Sequence, residues 1–152
     1  MPDLTFRRAT EPDLPAIIRL LADDILGSSR EATGAEDYQR YLEAFRTIDA
    51  DPNQFLLVVD DESKIVGTLQ LTFIPGLARG GLKRGQIEAV RVASDQRGKK
   101  IGEAMFDWAF DKCRRERCGI VQLTSDRLRP DAHRFYEKLG FEPSHTGYKM
   151  KL

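Results

Sequence analysis

The sequence predicts an α/β fold of the mixed, α+β type, and three features carry that expectation. The hydrophobic period switches from helical to strand-like at Asp51-Pro52-Asn53. A long amphipathic stretch lies between two apolar runs further along, and glycine or proline marks most of the joints. Together they predict a single domain over residues 1–152. Its centre is a mixed sheet of about six or seven strands, with about four helices on both faces.

Leu4 to Ala9 alternates like a short strand. Thr10 then reads as a helix cap, with Glu11 and Asp13 in the first turn and Pro12 near its start. Leu14, Ile17, Ile18, Leu21 and Ile25 follow at helical spacing, and Gly27-Ser28-Ser29 stops them. A second helix spans Ala35 to about Ile48, with Tyr38, Tyr41, Leu42 and Phe45 on one face. Phe55 to Val59 is a buried strand that turns at Asp60-Asp61-Glu62-Ser63 and returns as Lys64 to Phe73, a hairpin. Pro75 to Gly85, rich in glycine and basic residues, is a loop, and Gln86 to Ala93 is the next strand. Ile101 to Arg115 is a helix whose broad apolar stripe (Ile101, Ala104, Met105, Trp108, Ala109) suits packing on a sheet. Ile120 to Thr124 is a strand, and Asp131 to Leu139 a helix closed by Gly140. Phe141 to Leu152 reads as one or two strands.

Lys plus Arg and Asp plus Glu both number 24, so the formal charge is zero. A neutral chain has no global field to draw it to nucleic acid or an acidic membrane, and any anion site must be local. The two cysteines, Cys113 and Cys118, make neither a disulfide framework nor a zinc pattern, so two reduced thiols and no metal are expected. The opening MPDLTFRRAT lacks an apolar signal core and no long apolar run follows. A cytoplasmic location is the expectation.

The most informative stretch is Val90-Arg91-Val92 followed by Gln96-Arg97-Gly98-Lys99-Lys100-Ile101-Gly102. A strand enters a helix through a short basic turn containing glycine. Helix starts leave amides unpaired at a positive dipole end, and Gly98 lets the backbone bend or approach a ligand closely. With Arg97, Lys99 and Lys100 this can cradle a pyrophosphate. The other reading, a loop end with solvated cations, stays beside it. No GxxxxGK[ST] and no GxGxxG after a strand occurs, which sets aside a P-loop and a dinucleotide site. His133 and His145 are the only histidines. With no GxSxG elbow, a histidine-centred triad does not fit, and His133 reads as a surface or rim residue. Arg114, Arg115 and Arg117 read as a solvated helix end rather than a nucleic-acid patch.

The run VRVASDQRGKKIGEAMF resembles the acetyl-CoA signature of the Gcn5-related N-acetyltransferases (GNAT superfamily). Arg97 and Gly102 match its ends, while Lys100 stands where the family usually has glycine. The run AHRFYEKLGF, Ala132 to Phe141, resembles the family's second signature, a helix carrying a tyrosine. Arg129 stands where the family often has Asn. The tail DAHRFYEKLGFEPSH is also similar to the ends of aminoalkylphosphonate N-acetyltransferases.

The resemblance implies acetyl-CoA as co-substrate in the gap of a splayed parallel pair, 86–93 and 120–124. Val90, Arg91, Val92, Arg97, Gly98, Lys99, Lys100, Ile101, Gly102 and Phe135 would hold it, with pantetheine along Val90 and Val92 and pyrophosphate on Arg97 to Gly102. It implies direct attack by an amine in a ternary complex, Glu88 as water-mediated base, the Val90 amide as oxyanion donor and Tyr136 as general acid. By pattern alone Tyr136 reads first as a core aromatic beside Phe135, Leu139 and Phe141, and only the resemblance favours the acid; Glu88 reads as well as the polar side of a strand.

The family's acceptor pocket is walled by segments that here are Gly27 to Ala35 and Pro75 to Gly85, which makes Arg30, Glu31 and Arg79 substrate candidates. Arg30, Arg79, Lys83 and Arg84 outweigh Glu31 and Glu36, which favours a small amine carrying an anionic group over a polyamine or protein lysine. The expected partner is thus a small-molecule amine, with no nucleic acid and no membrane; a homodimer is left open. Two other classes stay open: a non-catalytic acyl-CoA-binding sensor or interaction module, and a nucleic-acid-binding domain.

Overall fold

A computed structural model describes residues 3–23, 31, 34–62 and 64–152, without the side chains of 35 and 36. The switch of period at Asp51 is where the sheet's central hairpin begins. β2 (Gln54–Asp60) and β3 (Ile65–Ile74) pair antiparallel, with Leu57 opposite Leu69 and Phe55 opposite Leu71. β1 (Thr5–Arg8) pairs antiparallel with β2, β4 (Arg84–Val92) antiparallel with β3, and β5 (Ile120–Gln122) parallel with β4. The sheet order is β1-β2-β3-β4-β5.

Strand alternation sorts the side chains onto two faces. Leu57 and Val59 join the core under α3 (Ile101–Arg115), with its Ile101, Met105, Phe106 and Ala109. Val58, between them, faces α1 (Leu14–Ala22) and α2 (Ala35–Ala50) through Leu14, Ile17, Ile18, Leu42 and Phe45. Each fully buried side chain of this kind contributes about 1.5–3 kcal/mol. Two glycines let α3 sit close on the sheet. A Cβ on Gly67 would lie 2.7 Å from Met105 Sδ, and one on Gly85 2.5 Å from Cys113 Sγ. Burial there pushes the Cys113 thiol up to about 12. Both cysteines are free. α4 (Pro130–Lys138) completes the α3 face through an aromatic cluster in which Phe106 meets Phe135, Tyr136 and Phe141 at centroid distances of 5.7, 5.7 and 6.0 Å.

Among the described residues five strands are present where about six or seven were expected, and the expected strands that are missing are those at the end of the chain. Phe141 to Leu152 forms no strand. A strand needs a ladder partner, and among the described residues Thr146 to Leu152 have no backbone hydrogen bond. The loop Pro75 to Gly85 contains a short helical turn, Ala78–Gly81, and yields to β4 at Arg84. The stop at Gly27-Ser28-Ser29 lies outside the described residues. Among the described residues, no helix is long and apolar enough to cross a membrane.

The first strand is tied down by one cation. Arg7 donates Nη1 and Nη2 to both carboxylate oxygens of Asp13 at 2.7 and 3.0 Å, and Nη2 to Asp60 Oδ2 at 3.3 Å. Asp13 also accepts the Thr10 amide at 2.8 Å. The bond from Arg7 holds the Asp13 carboxyl below the ordinary range, against its partial burial. A lowered folded-state pKa adds stability above the ordinary carboxylate value, and that stability is lost as pH falls through the lowered one. Arg7→Gln should therefore cost about 1–2 kcal/mol in urea unfolding at neutral pH. The gap to the parent chain should close below a pH of about 4. A gap that persists in strong acid would mean that Arg7 acts by packing alone.

Candidate active site

β4 carries one residue too many for its partner. Arg91 lies opposite Thr68 and Glu88 opposite Gln70, so Leu69 alone faces Ala89 and Val90. Ala89 takes φ 54, in the left-handed region, which completes a β-bulge. A one-residue slip exchanges the faces of a strand. Ile87 packs in the α3 core before the bulge, and Val90 and Val92 pack against the same core after it. The parallel pairing with β5 covers only Arg84 to Gln86. Past that point β4 stays with β3 and parts from β5, so the splayed pair expected from the sequence is present.

An open cleft of about 470 Å³ lies at the parted end of β4. Val90, Arg91 and Val92 line it from the strand. Gln96, Arg97, Gly98, Lys100, Ile101, Gly102 and Glu103 line it from the turn and the start of α3, and Arg129, Asp131, Ala132, Phe135 and Tyr136 from α4 and its approach. Of the ten cofactor residues expected from the sequence, all but Lys99 are in this lining; Lys99 Nζ instead donates to Gln96 Oε1 at 3.2 Å. Gln96 and Glu103 flank the expected turn without having been counted, and Asp131 and Ala132 were missed because side chains on different elements converge only after folding. Arg129 was visible only as a departure from the family pattern.

The start of α3 has the features of an anion site. Lys100, its N-cap, sits at φ 61 and ψ 21, and no side chain caps the helix. The first bond made inside the helix runs from the Ala104 amide to the Lys100 carbonyl at 3.1 Å. The amides of Ile101, Gly102 and Glu103 thus have no partner within the helix. Gly98 takes φ 84. A Cβ on Gly102 would sit 3.5 Å from Phe135 Cζ and 3.9 Å from Val92 Cγ2, so this glycine lies where strand, helix start and α4 meet. Lys100 thus takes the left-handed turn that the family usually gives to glycine, at a cost of about 1–2 kcal/mol for a side-chain-bearing residue. The residues present fit a pyrophosphate: helix-start amides, the positive dipole end, and Arg97 and Lys100 beside them.

Tyr136 belongs to both the core and the cleft. It packs against Phe106, Phe135 and Phe141 yet also lines the cavity, half-buried. Burial raises the pKa of its hydroxyl, while Arg129 and Arg91 pull it down. Arg91 Nη1 donates to the Val90 carbonyl at 2.9 Å. Glu88 is exposed and lies outside the lining of this cavity. It belongs to a polar row across the other face of the sheet. There Gln54 Oε1 accepts from Gln70 Nε2 and Thr72 Oγ1, both at 2.9 Å. Gln122 donates to Gln86 at 3.0 Å and accepts from Arg84 at 3.4 Å. The row was legible as the alternation of Gln86 and Glu88, and of Gln70 and Thr72.

Of the substrate candidates, Glu31 and Arg79 are not among the residues that line the cleft. Arg30 lies outside the described residues. Glu31 accepts the Tyr41 hydroxyl at 2.6 Å, and Arg79 is exposed on its turn at φ 56. His133 Nε2 bonds the Asp126 carbonyl at 2.8 Å, beside the cleft rather than in it. Arg114 pairs with Asp111 at 2.9 Å on the helix surface. Among the described residues, no group of three or more His, Cys, Asp or Glu could hold a metal ion.

The acetyltransferase (GNAT) family model matches residues 17–141. An aminoalkylphosphonate N-acetyltransferase of Salmonella typhimurium is 28% identical over 152 residues, all of this chain and 94% of that protein. A crystal structure from Bacillus halodurans, described as a transcriptional regulator, superposes with a TM-score of 0.95 at 44% identity, over 99% of this chain and 100% of that one. A structure from Clostridium acetobutylicum solved with acetyl-CoA shares the fold, with a TM-score of 0.76 at 18% identity, over 98% of this chain and 96% of that one.

Three substitutions separate the strain in this turn from its ligand. Lys100→Gly should raise stability by about 0.5–1 kcal/mol, and Lys100→Ile should lower it, because a branched side chain tolerates the left-handed region least. Acetyl-CoA should raise the melting temperature of the parent chain by mass action. Gly102→Glu should abolish that rise by placing negative charge at the helix start. An undiminished rise in that variant would put the anion site elsewhere.

Proposed function

We propose that this chain, which belongs to the acetyltransferase (GNAT) family and is an acetyltransferase, moves the acetyl group of acetyl-CoA to the primary amine of a small molecule. The observation that carries this reading is the uncapped start of α3 opening into the cleft where β4 and β5 part. Arg97, Gly98, Lys100, Ile101 and Gly102 hold the pyrophosphate, and Val90 to Val92 lie along the pantetheine arm. Acetyl-CoA supplies the acetyl group as an activated thioester.

The chain's own residues then manage protons and charge. An alkylamine has a pKa near 10.4, so on the order of one in a thousand is neutral at pH 7. Glu88, through water, takes the proton and frees the lone pair. The amine attacks the thioester carbonyl directly, in a ternary complex, and the Val90 amide donates to the oxygen as it gains charge. As the carbon–sulfur bond breaks, Tyr136 donates its hydroxyl proton to the departing sulfur, and the second proton, shed by the attacking nitrogen as the amide forms, restores the hydroxyl through solvent. The place of Tyr136 in the lining of the cleft supports that role.

The polar row is the proposed floor of the acceptor site. Of the four basic residues counted in the pocket loops, Arg84 lies in this row, bonded to Gln122. Lys83 turns away, with Nζ 5.6 Å from the Phe73 ring centroid and 3.9 Å from Glu116. The Arg84 guanidinium can hold a carboxylate or phosphonate at two points. The Salmonella relative's name points to the same class, an amine bearing an anionic group. Arg30, Glu31 and Arg79 remain candidates for the loop side of this site. A second reading, an acyl-CoA-binding regulator without catalysis, is favoured by the description of the Bacillus halodurans relative.

Thiol release from acetyl-CoA across a panel of amines tests both readings. Small amino acids and aminophosphonates should exceed spermidine and a lysine-rich peptide in kcat/KM. The absence of release with every amine, alongside intact acetyl-CoA binding, would favour the regulator. Tyr136→Phe keeps the ring and should leave Tm nearly unchanged while lowering kcat by about 10²–10⁴-fold. Full activity in that folded variant would return Tyr136 to the core alone.

A further inference from the structure

Four polar side chains stand in line across four strands. Gln54 on β2 lies opposite Thr72 on β3, Thr72 opposite Gln86 on β4, and Gln86 opposite Gln122 on β5. Their bonds fix them in two groups, Gln54 with Thr72 and Gln70, and Gln86 with Gln122. Each group still has polar atoms to offer. Among the described residues, Nε2 of Gln54, Oε1 of Gln70 and Nε2 of Gln86 have no partner. All five side chains are half-buried, and none of these atoms is sealed from solvent.

β4 sets the order of the groups around this line. Strand alternation puts Arg84, Gln86 and Glu88 on one face. Arg84 starts one pair before the line, opposite Ile74 and Ile120, but its Nη1 reaches Gln122 Oε1 at 3.4 Å, so the guanidinium lies level with Gln86. Glu88 stands one pair beyond the line, opposite Gln70. Two strand residues separate Gln86 from Glu88, about 7 Å. The Val90 amide, the oxyanion donor of the acetyl-transfer reading, lies further still along β4. An acceptor whose anion sits on Arg84 therefore carries its amine at least that far away. An extended chain gains about 1.3 Å per bond, so an aminophosphonate with one or two carbons spans only about 3–4 Å.

We propose that the acceptor is a hydroxyl-rich amine with its anionic group remote from the nitrogen. Arg84 holds the anion, and Gln54, Thr72, Gln86 and Gln122 bind hydroxyl groups along the way. The proposal rests on the acetyl-transfer reading and narrows its acceptor. A hydroxyl both donates and accepts, so it can meet either end of a carboxamide. A bare methylene chain would displace the water on these amides and leave them unpaired. The bonds within each group hold the amides in place before the ligand arrives, which lowers the cost of ordering them.

Four amines separate the two requirements in a thiol-release assay with acetyl-CoA. Glucosamine 6-phosphate has hydroxyls and a remote anion. Glucosamine lacks the anion, 4-aminobutylphosphonate lacks the hydroxyls, and 2-aminoethylphosphonate lacks both hydroxyls and length. Glucosamine 6-phosphate should exceed each of the others in kcat/KM by at least about tenfold. Equal or better turnover of any of the other three overturns the proposal. Gln86→Leu should lower kcat/KM for glucosamine 6-phosphate about tenfold more than for 4-aminobutylphosphonate. An equal loss on both would overturn the role of the row, and if the variant does not fold, the panel on the parent chain decides alone. Should no amine release thiol, the acetyl-transfer reading fails by itself, and an NMR titration of the CoA-bound chain decides the ligand class. The side-chain amide signals of Gln86 and Gln122 should then move with glucosamine 6-phosphate and not with 2-aminoethylphosphonate. Signals that stay still with both, or that move equally with both, overturn the proposal.

Discussion

A strand that keeps one neighbour while losing the other needs a local cause, and in β4 that cause is the extra residue at Ala89 and Val90. The ladder to β3 absorbs it by opposing two residues with one. The parallel ladder to β5 ends at Gln86, just before it. The left-handed conformation at Ala89 costs energy that the paired strand and the packed Ile87, Val90 and Val92 must offset. The cleft, the approach of Gly102 to Val92 and the access of Tyr136 to the same cavity all follow from that parting.

The helix that faces the parted strand has a second strained residue, Lys100. Its position trades backbone comfort for a cation beside uncapped amides, which suits an anion bound at the helix start. α3 cannot retreat from the cleft, because Gly67 and Gly85 let it lie close on the sheet and Phe106 holds α4 through its ring contacts. Of the two strained residues, Lys100 lines the cavity and Ala89 adjoins Val90, which lines it.

Much of this was legible in the sequence, for physical reasons. Helical spacing in Ile101 to Arg115 gave the element at its observed bounds, because its apolar arc is wide and its ends are marked. The hairpin was legible from the apolar runs around Asp60-Asp61-Glu62-Ser63. The turn at Arg97 to Gly102 announced itself by charge and glycine together. The bulge was not read, although a signal existed: the apolar positions Ile87, Val90 and Val92 are spaced three and then two. The polar side of each strand was legible as alternation, but the joining of those sides into one row and the place of Arg129 depend on neighbours from other elements, which periodicity along one chain cannot give. The tail misled because its alternation is a property of the segment, whereas a strand is a property of a pair.

The account stands on the claim that the amides of α3's first turn and the bulged end of β4 together receive the co-substrate. An amide-resolved NMR titration of the parent chain with CoA reads this directly. The largest shift changes should fall on Gly98 to Glu103 and on Val90 to Val92, saturating together at one dissociation constant. Changes confined to other surfaces, with the first turn of α3 unmoved at saturation, would contradict it.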